Sequence, residues 1–175
     1  MRVLISRALL TGAAAGLAAS PLAAAEIKVK VELPKLAVAE YHRPYVAIWI
    51  EKPDQTVAAN LAVWYDVKLK ENEGTKWLKD MRQWWRRIGR TLEMPVDGLS
   101  SATRAPGEHQ LSFPEGTSTL GALAPGRYEL VVEAAREVGG RELLRVPFEW
   151  PPKSALSLTT RGEHELGALV VDLAP

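Results

Sequence analysis

The sequence predicts an all-β protein made of short strands, with one helical insertion. Three observations lead to this fold class. Apolar and polar residues alternate over several stretches, turn residues such as Pro-Gly and Gly-Gly separate these stretches, and residues 76–88 follow a helical period instead. The 175-residue chain is long enough for one domain with a sizeable core.

The start of the chain predicts a cleaved signal peptide over residues 1–25, followed by a single domain over residues 26–175. Arg2 and Arg7 make a basic start, residues 8–17 are apolar, and the small residues just before Glu26 suit a cleavage site. The apolar run is too short to span a membrane. We therefore expect a protein exported to the periplasm.

Composition narrows the range of functions. The chain has 22 Lys and Arg against 21 Asp and Glu, and two of the cations lie in the leader, so the mature chain carries one net negative charge. This balance argues against a nucleic-acid partner. Because there is no cysteine, disulfides, iron–sulfur clusters and thiol catalysis are excluded. His42, His109 and His164 lack companions at metal-ligand spacing, so no metal site is predicted. The motifs of serine hydrolases and nucleotide-binding loops do not occur.

Strand patterns occur on both sides of the helical insertion. Residues 27–33 alternate strictly, whereas residues 45–50 are apolar on both faces, which suits a central strand. Gly139-Gly140 predicts a hairpin, and Pro147 indicates an edge strand or a bulge. The remaining predicted strands are residues 56–65, 108–113, 128–134, 142–150 and 166–173. Together they predict an antiparallel β-sandwich of immunoglobulin-like type.

Residues 76–88 predict one helix of three to four turns, or a helical turn of that character. Its apolar arc contains Trp77, Leu78, Met81, Trp84, Trp85 and Ile88, and its basic arc contains Lys79, Arg82, Arg86 and Arg90. Thr75 can cap its start and Gly89 can close its end. Two interpretations stay open: the tryptophan face packs on the sandwich, or the helix docks on anionic lipid head groups, a phosphate or a membrane partner.

Residues 97–107 form a turn-rich stretch between the helical insertion and the later strands. Gly98 and Pro106-Gly107 bring turn chemistry to its two ends, and the residues between them are mostly small. We predict an exposed loop in which the hydroxyl of Thr103 precedes the cation of Arg104. From the residues alone it is only a loop.

Five segments in a fixed order make the chain resemble a known family. They are PYVAIWIE (44–51), KWL (76–78), WWR (84–86), SATRAPG (101–107) and YELVVEAAREVGG (128–140). Together they resemble the predicted periplasmic family catalogued as domain of unknown function 2271. Its members tend to be encoded beside PepSY-type membrane flavoproteins and FAD:protein FMN transferases. The resemblance implies a role in extracytoplasmic electron transfer, often linked to iron acquisition.

A second resemblance lies within the loop. FMN transferases recognise an Asp, two spacer residues, a Ser or Thr, then usually Gly-Ala-Thr, and they esterify the final hydroxyl with FMN. Asp97, Ser100, Ala102 and Thr103 match this pattern, whereas Ser101 stands where glycine is usual. The resemblance implies covalent FMN on Thr103.

Such a site needs an accessible hydroxyl and a nearby cation. Gly98 and residues 100–102 are small, which would let a transferase reach Thr103. The phosphodiester product carries one negative charge, which Arg104 is expected to pair with for about 1.5–3 kcal/mol. The candidate ring-shielding and partner-binding side chains are Trp77, Trp84, Trp85, Arg82 and Arg86.

These observations together predict an exported electron carrier with covalent FMN, loaded by an FAD:protein FMN transferase and working with a PepSY-type inner-membrane oxidoreductase. We expect the flavin to carry the redox chemistry, so the polypeptide would not be an enzyme on its own. One alternative is an unmodified accessory module that docks on a membrane partner through its basic helix. Another is a carbohydrate- or metal-binding sandwich, for which no ligand set is visible in the sequence.

Overall fold

The computed structural model describes residues 24–175, in which the strands form two sheets. The strands are β1 (Glu26–Leu33), β2 (Tyr45–Glu51), β3 (Val57–Tyr65), β4 (Ser100–Ala102), β5 (Gly107–Pro114), β6 (Gly126–Ala135), β7 (Arg141–Trp150), β8 (Leu156–Arg161) and β9 (Ala168–Ala174). β5, β1, β9 and β8 make a four-stranded sheet in that order, and β4, β3, β2, β6 and β7 make a five-stranded sheet. The main apolar core lies between the two sheets, which confirms the all-β prediction. The leader predicted for residues 1–25 lies outside the described residues, except for its last two.

The central strand β2 is buried on both faces, as its uninterrupted apolar run predicts. Val46, Ile48 and Ile50 point into the core between the sheets. Ala47 and Trp49 point the other way, into a second apolar cluster. The five-stranded sheet therefore has a covered outer face, which is where the helical insertion packs.

The helical insertion is not one helix. It consists of a 3-10 segment (Lys70–Asp80), a short helix α1 (Arg82–Arg87) and a 3-10 turn (Gly89–Thr91). Met81, with φ −77° and ψ 73°, separates the first two. The predicted helix over residues 76–88 is therefore wrong in its continuity, and so is the predicted cap, because the Thr75 hydroxyl donates to the Asn72 carbonyl at 2.7 Å.

The break follows from a carboxylate far away in sequence. Glu133 on β6 accepts the backbone N–H groups of Gln83 and Trp84 at 3.1 Å and 2.8 Å. It is fully buried and also pairs with Arg141 at 2.6 Å. A helix that ran on from residue 80 would use those N–H groups itself, so α1 begins where Glu133 can cap it.

The apolar and basic arcs are confirmed despite the break. Leu78, Met81, Trp84 and Ile88 are buried. The cations that remain exposed on the outer side are Lys76, Lys79, Arg82, Arg86 and Arg90. The interpretation in which the tryptophan face packs on the sandwich is therefore correct.

Two strands depart from the sequence-based prediction. β4 pairs with β3 in parallel, not antiparallel, because the long excursion through the helical insertion lets the chain return in the same direction. β8 was not predicted. It is an edge strand with mostly exposed side chains, so burial leaves little pattern in its sequence. The hairpin β6–β7 and the edge position of Pro147 are confirmed.

Candidate functional site

The parallel pairing of β3 and β4 brings together the residues that follow these strands. Asp66 follows β3 and Thr103 follows β4. The Thr103 hydroxyl Oγ1 donates to the Asp66 carboxylate Oδ1 at 3.2 Å. Thr103 is 8% exposed, so the prediction of a fully exposed loop is wrong at this residue. The reason is that residues 100–102 pair with β3 instead of projecting into solvent.

Thr103 lies in the wall of a cavity of about 290 Å³. The wall combines aromatic rings, cations and carboxylates. Its residues are Tyr41, His42, Arg43, Tyr45, Asp66, Trp77, Asp80, Thr103, Ala135, Arg136 and Glu137. Rings can pack against a planar ligand, and arginines can pair with a phosphate. The wall therefore contains groups that can bind both parts of a phosphate-bearing aromatic ligand.

One side of the cavity is held in place by Gly74. The Tyr45 hydroxyl donates to the Gly74 carbonyl at 3.1 Å, and a Cβ on Gly74 would collide with the backbone carbonyl of Asp66. The 3-10 segment that carries Trp77 therefore sits directly against the end of β3. Burial, with a further contribution from the negative charge of Asp66, raises the pKa of Tyr45 to about 12.

The opposite side of the cavity is fixed by an ion pair between the two sheets. Arg136 donates through Nε and Nη2 to the two carboxylate oxygens of Glu165, at 2.9 Å and 3.0 Å. The same carboxylate accepts the Gly140 N–H at 2.8 Å. The hydrogen bond that Arg136 donates to Glu165 is the largest cause of the raised pKa of Arg136. Arg136 is thus a permanent, immobilised cation at the cavity wall.

The loop that carries Glu165 is itself anchored by Glu142. The Glu142 carboxylate accepts four consecutive backbone N–H groups at 2.6–3.1 Å. These belong to residues 163–166. Burial opposes ionisation of Glu142, but the four donors outweigh it and hold its pKa below the ordinary value.

The residues of the predicted acceptor pattern shape the approach to Thr103. The Asp97 carboxylate accepts the Gly98 N–H at 3.0 Å, and Gly98 has a φ of 71°, which favours glycine. The Ser100 hydroxyl accepts the Val96 N–H at 2.9 Å. Ser101 and Ala102 complete β4. The pattern therefore corresponds to one turn and one short edge strand that end at the hydroxyl.

Arg104 faces away from the cavity. Its guanidinium carbon lies 5.4 Å from the centre of the Trp64 ring, and its Nη2 donates to the Ser101 hydroxyl at 3.4 Å. Arg104 is absent from the cavity wall, whereas Arg43 and Arg136 line it. The arginines that line the cavity with Thr103 are therefore Arg43 and Arg136, and not the Arg104 predicted from the sequence.

The three tryptophans of the insertion have different surroundings. Trp77 is half-buried and lines the cavity. Trp84 is fully buried, and its indole N–H donates to the Asn60 side-chain carbonyl at 3.1 Å. Trp85 is half-buried outside the cavity wall, and Arg82 and Arg86 are exposed. Of these five candidate side chains, only Trp77 lines the cavity together with Thr103, and Arg82 lines a neighbouring cleft beside the β6–β7 hairpin.

Comparison with known families decides the membership of the chain. The family model described as “Predicted periplasmic protein (DUF2271)” matches residues 26–168. The chain belongs to this family. The resemblance seen in the sequence is thereby confirmed, as is the periplasmic location, by the family description. Comparisons with curated proteins and with solved structures gave no significant match. Among residues 24–175, no helix is long and apolar enough to cross a membrane.

Several residues that line the cavity of this DUF2271 member were not predicted from the sequence. Asp66 directly follows a predicted strand, and Arg136 precedes the Gly-Gly hairpin, so strand ends were the available signal. Nothing in the sequence pairs Asp66 with Thr103, because their proximity depends on the parallel return of β4. Tyr41 and Arg43 lie in the connection before β2, which has no pattern that points to a site.

Proposed function

We propose that this DUF2271 protein is a periplasmic electron-transfer protein with FMN esterified to Thr103. The observation that carries the proposal is the position of Thr103. It is the last residue of a transferase-like acceptor pattern, and its hydroxyl lies in a cavity lined by aromatic rings and arginines. FMN supplies one- and two-electron redox chemistry when bound, and the protein orients it.

Attachment would use the Thr103 hydroxyl as a nucleophile. Oγ1 attacks the phosphorus on the FMN side of the FAD pyrophosphate, a P–Oγ1 bond forms, and the P–O bond to AMP breaks. AMP leaves with the bridging oxygen. The hydroxyl proton must go to a base, and Asp66 Oδ1 already accepts it at 3.2 Å. Asp66 thus orients the attacking oxygen, and the transferase supplies FAD and the rest of the catalytic machinery.

The product would place one negative charge in the cavity. Arg43 and Arg136 line the same wall and can pair with the phosphodiester. Asp66 would lose its hydrogen bond from Thr103 and repel the phosphate, so we expect the ester to turn away from Asp66 toward the arginines. A covalent link also keeps the cofactor from being lost outside the cytoplasm.

The wider setting of the proposal comes from the family resemblance. The electrons would pass to or from a PepSY-type inner-membrane oxidoreductase, with iron reduction or uptake as the implied context. We further propose that the two-sheet domain is immunoglobulin-like and that the leader before Glu26 is removed on export. N-terminal sequencing of the periplasmic protein tests the last point, and a first residue far from Glu26 would contradict it.

Gel fluorescence tests the attachment. We expect the protein co-expressed with an FAD:protein FMN transferase to give a fluorescent band after denaturation, and Thr103→Ala to give none. Thr91→Ala is the matched control, since Thr91 is an exposed threonine in the same tryptic peptide, residues 91–104. A dark wild-type band, or a fluorescent Thr103→Ala band, would contradict the assignment.

A second function is favoured by the exposed cations of the insertion. Lys79, Arg82 and Arg86 are exposed on the outer side of the domain, whereas Arg87 turns inward to Glu51 at 3.2 Å. An unmodified module could dock on an anionic membrane partner through this surface. Loss of binding to anionic vesicles in Arg82→Gln/Arg86→Gln, together with a dark wild-type band, would support docking over flavin attachment.

A further inference from the structure

The cavity at Thr103 continues into a second hollow. This cleft, of about 490 Å³, lies beside the tip of the β6–β7 hairpin. The two hollows share five wall residues, which are Trp77, Asp80, Ala135, Arg136 and Glu137. They therefore form one continuous groove, which we call the Trp77 groove, between the 3-10 segment and the hairpin.

Thr103 lies at one end of the Trp77 groove. It lines the first hollow and not the second, whereas Val138, Gly139 and Arg141 line only the second. The first hollow alone is at the lower limit of the roughly 300–1,000 Å³ typical of small-molecule sites. Both hollows together have room for a flavin ring and the ribityl chain that separates it from the phosphate.

Trp77 stands at the junction of the two hollows and is rigidly supported. Its indole packs partly on the second apolar cluster, and its neighbour Leu78 is fully buried. Gly74, three residues earlier, is held by Tyr45 and lies too close to Asp66 to admit a side chain. The backbone that carries Trp77 is thus fixed against the end of β3, and its half-buried indole lies in the groove wall, where it can stack with a flat ring.

We propose that the isoalloxazine ring of FMN on Thr103 lies in the Trp77 groove against the indole of Trp77. This inference rests on the proposed function. The phosphate would stay near Arg43 and Arg136, the ribityl chain would run along the groove, and the ring would reach Trp77. The sequence offered Trp77, Trp84 and Trp85 as equal candidates, and the geometry assigns the contact to Trp77.

Flavin fluorescence of loaded protein tests the contact. An indole that touches a flavin quenches its emission by electron transfer from the indole to the excited ring. Wild type, Trp77→Leu and Trp85→Leu are loaded by the transferase, and peptide mass confirms FMN on Thr103 in each. Trp85 is the matched control because it is a half-buried tryptophan of the same insertion outside the groove.

We expect unfolding in guanidinium to raise the emission of wild type and Trp85→Leu several-fold, and that of Trp77→Leu far less, because its flavin is already bright. A near-UV circular dichroism spectrum with the tertiary signal of wild type shows that a variant is folded. If Trp77→Leu does not fold, Trp77→Phe takes its place and is expected to be bright as well, because a phenyl ring does not donate an electron to the excited flavin. Equal emission changes in the Trp77 and Trp85 variants, with FMN present on Thr103, would overturn the groove contact and leave the attachment standing. Absence of FMN from Thr103 would overturn both.

Discussion

We expect the substitution Glu142→Gln to lower the free energy of unfolding strongly and in a pH-dependent way. Glu142 at the start of β7 accepts four N–H groups of the β8–β9 connection, all at 3.1 Å or less. It therefore joins the two sheets at the end of the domain where the cavity lies. In Glu142→Gln the shape is kept, but the charge is lost and an amide NH₂ replaces one acceptor oxygen.

The magnitude follows from the kind of hydrogen bond that is lost. A bond to a charged group contributes about 1.5–3 kcal/mol and a neutral one about 0.5–1.5, so each of the four loses about 1 kcal/mol. Since Glu142 is partly exposed and four donors on one acceptor are not additive, we expect a total loss of about 2–3 kcal/mol in the free energy of unfolding. For a domain of this size that lowers Tm by roughly 4–12 °C.

The pH dependence has a definite sign. The pKa of Glu142 is lowered in the folded protein, so its charge stabilises the fold above the unfolded-state pKa of about 4.3, and this stabilisation disappears as the pH falls through the folded value. We expect urea denaturation to separate wild type from Glu142→Gln at about pH 7 and to bring the two proteins together as the pH falls below the folded-state pKa of Glu142. Glu149→Gln, at an exposed position on the same strand, is the control and should match wild type. A loss under about 0.5 kcal/mol, or a difference that does not change with pH, would show that the charge of Glu142 does not stabilise the fold.

Two further predictions concern the walls around the site. A Cβ at Gly89 would collide with the rings of Trp84 and Trp85, so Gly89→Ala should cost about 1–3 kcal/mol in thermal unfolding and alter the near-UV spectrum; unchanged stability would show that the insertion can repack. The Tyr45 pKa of about 12 means that the stabilisation from its neutral phenol is complete below about pH 10 and disappears as the pH rises further. Absorbance titration should show a late-ionising phenol that Tyr45→Phe lacks, and identical titrations of the two proteins would contradict the buried environment.

The sequence correctly predicted those strands and turns whose environment can be inferred from their own residues. The apolar run of β2 requires cover on both faces, and the structure supplies it with the second sheet on one side and the insertion on the other. The Gly139-Gly140 pair indicates a turn, and it lies in the connection of the β6–β7 hairpin, residues 136–140. The prediction of a single helix in the insertion was wrong because Glu133, some fifty residues later, accepts two of the N–H groups that such a helix would use. No periodicity within residues 76–88 contains that information.

The candidate site likewise combines a local pattern, which the sequence contains, with long-range contacts, which it does not. The proposed FMN-acceptor pattern around Thr103 consists of residues close together in sequence, so it can be recognised from the sequence alone. The partners of Thr103 depend on which strands pair, because Asp66 meets it only through the parallel return of β4. Arg104 was predicted to serve the site because it is adjacent in sequence, yet it points toward Trp64. The arginines that line the cavity are instead Arg43, before β2, and Arg136, at the turn of the distant β6–β7 hairpin.

Tandem mass spectrometry of the tryptic peptide of residues 91–104 shows directly whether the hydroxyl of Thr103 carries FMN. The peptide should come from full-length protein made together with an FAD:protein FMN transferase. We expect a fragment series in which the added FMN mass stays with Thr103. An unmodified peptide from transferase-treated protein, or an FMN mass located on any other residue, would contradict it.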